Sequence, residues 1–288
     1  MKLVYSLYIG ESNNHNGDFC GYSSSDDLLN SLLLSSTVSG RNFDKCELYC
    51  NTRAKELISE DGRVFPFTSI IVCFDYLDNW LQLHNWAYPK LVTYSMQKEP
   101  FVHLDFDAIL SDGIPAELLN KKLIFQQKEM IAGGKYTYYY KLFEEAKLLN
   151  LLPSIIKFCP SFAMNMGLFG CMQQSALYLV KQYCDAAFEY VKQQQANYEK
   201  LVLVHEQSML FEQLFIVNFL EENKLQAEID YDTFIDGNSK NKFYPNYRFS
   251  HFYSNWKRKN IVVVAIKKEL DRLGLNKKKT SKPTLQAH

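Results

Sequence analysis

The densest chemistry in the sequence lies in Phe101-Val102-His103-Leu104-Asp105-Phe106-Asp107, where an apolar run ends in two carboxylates spaced i, i+2. Side chains on a strand alternate between faces, so an extended backbone would aim Asp105 and Asp107 the same way. Two like charges on one face repel each other unless a cation lies beside them. Hard oxygen ligands of this kind suit Mg²⁺ or Mn²⁺, ions that commonly hold phosphates as well. The plain alternative is a solvated turn after a strand. Further on, Asn165-Met166-Gly167 breaks an apolar, strand-like run. That fits either close backbone approach to a ligand or a β-bulge. His205-Glu206-Gln207 puts an acid–amide pair at a helix start, where a carboxylate also simply complements the helix dipole. His251 and Lys257 share a segment rich in aromatics. Neutral histidine can complete a metal shell and lysine can neutralise a phosphate; otherwise this is a surface loop with a buried histidine.

The elements that must position these residues alternate along the chain. Leu3 to Ile9 reads as a strand, Asp26 to Val38 as a helix, Cys46 to Asn51 as a strand and Thr52 to Ser59 as a helix. Ser69 to Phe74 reads as a third strand and Leu77 to Trp86 as a helix. Pro89 opens another helix that ends near Gln97, and Pro100 begins a fourth strand. This order predicts an α/β fold with a mainly parallel central sheet flanked by helices. In such folds ligands bind at the carboxyl ends of the strands, where Asp105 and Asp107 fall. The second half is mixed. Leu123 to Gln126 and Phe162 to Phe169 read as strands, with Gly133 to Tyr140 as a loop entering a helix. Gln173 to Gln195 and His205 to Glu222 carry apolar stripes at helical spacing. Asp230 to Arg248 reads as loop and Val262 to Leu273 as the last helix. The expected organisation is one domain over 1–275 and a basic, disordered tail over 276–288.

Composition narrows the function classes. The 288 residues are 47% hydrophobic and 22% charged, which excludes disorder over most of the chain. The formal net charge is zero, against a role gripping long nucleic acid through many phosphates. No stretch reaches the length of a membrane span or has the form of a secretory signal. The seven cysteines are odd in number, scattered and without a CxxC pair, as expected of reduced thiols in a cytoplasm.

Taken in order, Asp105-x-Asp107, Asn165-x-Gly167, Glu206-Gln207 and the pair His251 and Lys257 resemble the metal-dependent glycosyltransferases of the A-type fold. The set is most similar to the glycogenin and bacterial lipopolysaccharide galactosyltransferase group. That group shows Asp-x-Asp, Asn-x-Gly, Asp-Gln and a late His-x-x-Gly-x-x-Lys; here Glu206 replaces the Asp and Ser254 the Gly. The run Glu99-Pro100-Phe101-Val102-His103-Leu104-Asp105-Phe106-Asp107 also resembles a bacterial group with a Glu-Pro-Phe-x-His-x-Asp-x-Asp signature.

The resemblance implies a nucleotide-diphospho-sugar transferase fold. It implies a retaining enzyme that moves a sugar from a nucleotide-diphosphate donor to a glycan or lipid-linked acceptor. Mn²⁺ or Mg²⁺ would be held by Asp105, Asp107 and His251, with Asp105 also reaching toward ribose. Lys257 would add positive charge to the leaving diphosphate. Asn165, Glu206 and Gln207 would hold sugar hydroxyls or stabilise the sugar cation. Tyr8, Gly10, Lys90 and Gly167 would contact the donor, although Lys90 also reads as an ordinary solvated lysine. Gly133 to Tyr140, with its tyrosines, would face the acceptor. Lys277 to Lys282 reads as a solubilising end or as a weak peripheral contact with the inner face of an anionic membrane.

Two rivals stand beside this. An Asp-x-Asp after a strand also opens the haloacid-dehalogenase type of phosphatase, whose nucleophile is the first Asp. A non-catalytic carbohydrate- or nucleotide-binding protein on a degenerate transferase fold is the other.

Overall fold

The computed structural model describes residues 1–10, 19–77, 87–131, 137–150, 152, 158–194, 208–225, 230–234, 248–252 and 257–276. Outside them lie Glu206 and Gln207, most of the segment read as a helix from Leu77 to Trp86, Gly133 to Tyr136, and Tyr253, Ser254 and Trp256. The basic tail from Lys277 to Lys282 also lies outside them.

In chain order the described strands are β1 (Lys2–Leu7), β2 (Lys45–Cys50), β3 (Ser69–Val72), β4 (Phe101–Leu104), β5 (Ala108–Leu110), β6 (Leu123–Met130), β7 (Phe162–Cys171), β8 (Tyr231–Thr233) and β9 (Phe249–His251). The helices are α1 (Ser25–Gly40), α2 (Thr52–Asp61), α3 (Tyr88–Ser95), α4 (Ala116–Leu119), α5 (Thr137–Leu148), α6 (Leu177–Gln194), α7 (Phe215–Leu225) and α8 (Asn260–Arg272). A π turn, Leu210–Leu214, leads into α7.

Seven strands form one sheet in the order β3-β2-β1-β4-β7-β6-β8. All run one way except β7, which is antiparallel to both β4 and β6. The mainly parallel α/β sheet expected from the sequence is therefore present. β1 is buried along its whole length, as its near-continuous apolar run requires of a central parallel strand. Its one basic residue, Lys2, is neutralised by Glu47 at 3.0 Å.

Helices cover both faces. One core joins Leu91 and Tyr94 of α3, Leu142 of α5, Leu179 and Tyr183 of α6, and Phe215 of α7 to the sheet. The opposite core joins Leu28 and Leu32 of α1 and Ala54 and Ile58 of α2 to it. Two segments read as loop are strands. Tyr231–Thr233 adds to the sheet edge beside β6, and Phe249–His251 pairs antiparallel with β5 in a separate two-stranded sheet. Both are three residues long, too short for a period-two pattern to show.

Helix α1 does more than bury leucines. Its N-cap Ser24 accepts from Asp27 N. Ser31, Ser35 and Ser39 lie one turn apart on one face and hold the backbone leading into and through β5. Ser31 Oγ donates to Phe106 O at 3.0 Å, Ser35 Oγ donates to Ala108 O, and Leu110 N donates to Ser39 Oγ at 2.9 Å. Ser35 is fully buried and also bonds the Tyr5 hydroxyl at 3.0 Å. Replacing Ser35 with alanine removes the hydroxyl between two buried polar groups, so stability should fall by about 1–3 kcal/mol. A urea titration checks this, and an unchanged midpoint would refute the role given to the serine row.

Candidate metal centre and its surroundings

Strand β4 ends at Leu104, so Asp105 and Asp107 do not share a strand face as alternation would have it. They sit in the turn between β4 and β5, closed by Ala108 N donating to Asp105 O at 2.8 Å. Two backbone bonds pin this turn to distant chain. Asp105 N donates to Gly167 O and Phe252 N donates to Asp107 O, both at 2.9 Å. The antiparallel register of β5 and β9 sets Ala108 opposite His251. His251 Nε2 thereby lies 3.3 Å from Asp107 Oδ1 and 3.9 Å from Asp105 Oδ2. One ligand atom from each of Asp105, Asp107 and His251 falls within 4.8 Å of the others. Two carboxylates and an imidazole form a hard, partly nitrogenous donor set of the kind that holds a divalent cation.

A lysine stands beside each carboxylate. Lys257 Nζ is 2.7 Å from Asp107 Oδ2 and donates to Cys20 O at 3.3 Å. It lies over the rings of Tyr22 and Phe106 at 5.6 and 5.4 Å. Asp107 is buried. Burial would push its carboxyl up, but the ammonium of Lys257 beside it, the largest opposing influence, holds it well below the usual carboxylate range. On the other side, Lys90 Nζ is 2.7 Å from Asp105 Oδ1 and 3.1 Å from Glu212 Oε1. Lys90 is buried, not solvated. Burial works against its charge, yet Asp105 and Glu212 hold its ammonium above the ordinary lysine range. Glu212 is fully buried in the π turn. Burial, aided by Asp105, keeps its carboxyl above the usual range in spite of Lys90. His103 serves packing: it bonds Ser6 Oγ at 2.8 Å, and burial holds its imidazole well below the usual range.

A polar layer continues from this group across β6 and β7. Asn165 Nδ2 donates to Glu129 Oε1 at 2.8 Å, and Gly167 N donates to Asn165 Oδ1 at 3.0 Å. Glu129 also accepts from Gln127 at 3.2 Å and from the Tyr139 hydroxyl at 2.6 Å, and Tyr139 bonds Gln213 in turn. Gly167 has no room for a side chain: a Cβ would come within 2.3 Å of Gln126 Oε1 and 2.4 Å of His251 Cε1. Tyr8 and Gly10 lie just past β1. Tyr8 donates to Leu77 O at 3.3 Å and stacks on Phe74, and Gly10 O accepts from Arg53 at 3.0 Å.

The chain therefore brings Asp105, Asp107, His251, Lys257 and Lys90 into one cluster, with Asn165 and Gly167 along its flank. Sequence reasoning missed Glu212, Gln213, Glu129 and Gln126. One signal was available: the acid–amide pair chosen at Glu206-Gln207 recurs at Glu212-Gln213 in the same segment. The π turn that carries the second pair is a frequent mark of functional sites. The shallow hollow lined by Thr52, Lys55, Glu56, Ser59, Glu60 and Val72 lies at the β3 edge, away from this cluster.

The model of one family, described as a family of unknown function (DUF6734), matches residues 1–273. No curated protein matches. Among solved structures, mouse xyloside xylosyltransferase 1 in its apo form is similar at 12% identity and a TM-score of 0.40, over 81% of this chain and 85% of that one. Among the described residues no helix is long and apolar enough to cross a membrane.

Proposed function

The chain belongs to that family of unknown function, and we propose from its site that it is a divalent-metal-dependent glycosyltransferase. In this reading it moves a sugar, with retention, from a nucleotide-diphosphate donor to a glycan or lipid-linked acceptor. The observation that carries the reading is the convergence of Asp105, Asp107 and His251 at the carboxyl end of β4, where open α/β sheets bind their ligands. The motif resemblance supports it, because Asp105, Asp107 and His251 stand in the order of the Asp-x-Asp and late His motifs of the A-type-fold transferases that the sequence resembles.

Asp107 and Asp105 would hold Mn²⁺ or Mg²⁺ with His251, and Asp105 would also reach the ribose. The cation, when bound, offsets the negative charge that builds on a diphosphate leaving group. Lys257 sits on Asp107 as a cation on a flexible stem, suited to pairing with a phosphate once Asp107 has another partner. Lys90, held by Asp105 and Glu212, fixes the orientation of the Asp105 carboxylate. Asn165, Glu206 and Gln207 would hold sugar hydroxyls or the sugar cation, and Tyr8, Gly10 and Gly167 would line the donor. The segment from Gly133 to Tyr140 would face the acceptor. A cytoplasmic enzyme with a basic tail touching the inner membrane face fits the lipid-linked acceptor.

A thermal-shift screen of nucleoside diphosphates and nucleotide sugars, with and without Mn²⁺, tests the reading. At a hundredfold excess over Kd, a true ligand stabilises by about 2.7 kcal/mol. Stabilisation that needs both Mn²⁺ and a nucleoside diphosphate is expected; its absence across the whole panel sinks the proposal.

A further inference from the structure

We infer that Gln126 is a positioning residue for His251, fixing the imidazole tautomer whose Nε2 faces the two aspartates, and that Gly167 supplies the space in which the two side chains meet. The inference deepens the metal reading above and rests on it.

Three observations carry it. The ladder between β6 and β7 shifts register between Phe125 and Gln127. Phe125 pairs with Phe169 and Gln127 with Asn165, so the surplus lies on β7, where Met166, Gly167 and Leu168 stand opposite Gln126 alone. A bulge breaks the local pairing, bends its strand and re-aims side chains there. Gln126, the residue at the shift, is buried, and its Oε1 lies 2.8 Å from His251 Nδ1. An amide oxygen only accepts, so Nδ1 carries the hydrogen. In the neutral ring Nε2 then keeps its lone pair, turned toward Asp107 at 3.3 Å and Asp105 at 3.9 Å. Each aspartate already has a lysine beside it; the Nε2 lone pair together with the two carboxylate oxygens it faces makes a three-atom donor set suited to a cation. Finally, a Cβ on Gly167 would come within 2.3 Å of Gln126 Oε1 and 2.6 Å of His251 Nδ1. Any side chain there would force the pair apart. Partners of this kind, which hold a ligating histidine by its other nitrogen, typically change metal affinity by 10–100-fold when removed.

The test measures Mn²⁺ affinity by calorimetry and, separately, the His251 tautomer by nitrogen NMR on metal-free protein. The His251 signal is assigned by its loss in His251→Gln. Wild type should show hydrogen on Nδ1. Gln126→Met keeps the length and loses the acceptor; it should mix the tautomers and weaken Mn²⁺ binding by about 10–100-fold. Gln126→Glu keeps an acceptor and should hold the wild-type tautomer. Gly167→Ala should behave like Gln126→Met. A wild-type tautomer and affinity in Gln126→Met overturn the inference, and wild-type affinity in Gly167→Ala overturns the part given to the glycine. If Asp107→Asn binds Mn²⁺ as tightly as wild type, the metal reading itself has failed, while the tautomer measurement still decides whether Gln126 sets the ring.

Discussion

Asp107→Asn will bind Mn²⁺ far more weakly than wild type, and any sugar transfer by the variant will slow by a factor on the order of 10²–10³. The substitution keeps size and one carbonyl oxygen but removes the charge that the cluster is built around. Asp107 is the residue on which His251 Nε2 and Lys257 Nζ both converge, at 3.3 and 2.7 Å. Its surroundings hold it ionised despite burial, so the charge is present over the whole working range of pH. An amide there also leaves Lys257 without its anion and free to turn to solvent. Calorimetry with Mn²⁺, repeated with a nucleoside diphosphate present, checks the first effect, and product formation from a responsive nucleotide sugar checks the second. Undiminished Mn²⁺ binding by a folded Asp107→Asn chain would remove Asp107 from the centre.

How much of this could be read from residue order depends on which contacts are local. Asp105 and Asp107 are close in sequence, and their convergence was legible even though the stated cause was not. A turn gathers them, where strand alternation was expected. The parallel half of the sheet was legible because each apolar run is followed by a helix with its own stripe. β8 and β9 were not, since three residues carry no period and their pairing is a property of distant partners. The serines of α1 illustrate the rest. Their spacing is plain in the sequence, but only the fold shows that they bind the β5 backbone and not water. Lys90 likewise reads either as a donor contact or as a solvated lysine, and only the fold brings Glu212 beside it.

That last pair supports the second large effect. Lys90→Met keeps most of the apolar stem and deletes the ammonium, leaving Asp105 and a fully buried Glu212 without the cation between them. Breaking a buried ion pair from one side costs about 3–5 kcal/mol, which lowers the thermal midpoint on the order of 10 °C in a chain of this size. Lys90→Met/Glu212→Leu should recover much of that loss, because the uncompensated charge is gone. The loss also depends on pH with a definite sign. Burial holds the Glu212 carboxyl above its usual range, and removing Lys90 raises it further. The neutral acid needs no cation beside it, so stability is retained below the unfolded carboxyl value of about 4.3 and falls as pH rises through the folded one. The variant should therefore be closest to wild type at about pH 5 and furthest from it at about pH 8. An equal deficit at both would show that Glu212 is not the group left exposed to the loss.

The two-stranded pairing of β5 with β9 also has a consequence in time. The aspartates stand in the turn just before one strand and the histidine ends the other, with about half the chain between them. Helix α8, which follows β9, packs on α1 and Ile109. Closing so long a loop costs entropy before any contact repays it. On a ribosome the amino-terminal strands and helices have emerged, and can fold, well before residues 249–257 exist. A nascent chain thus carries both carboxylates for some time with neither His251 nor Lys257 to meet them, and the centre comes into being only when synthesis has passed residue 257.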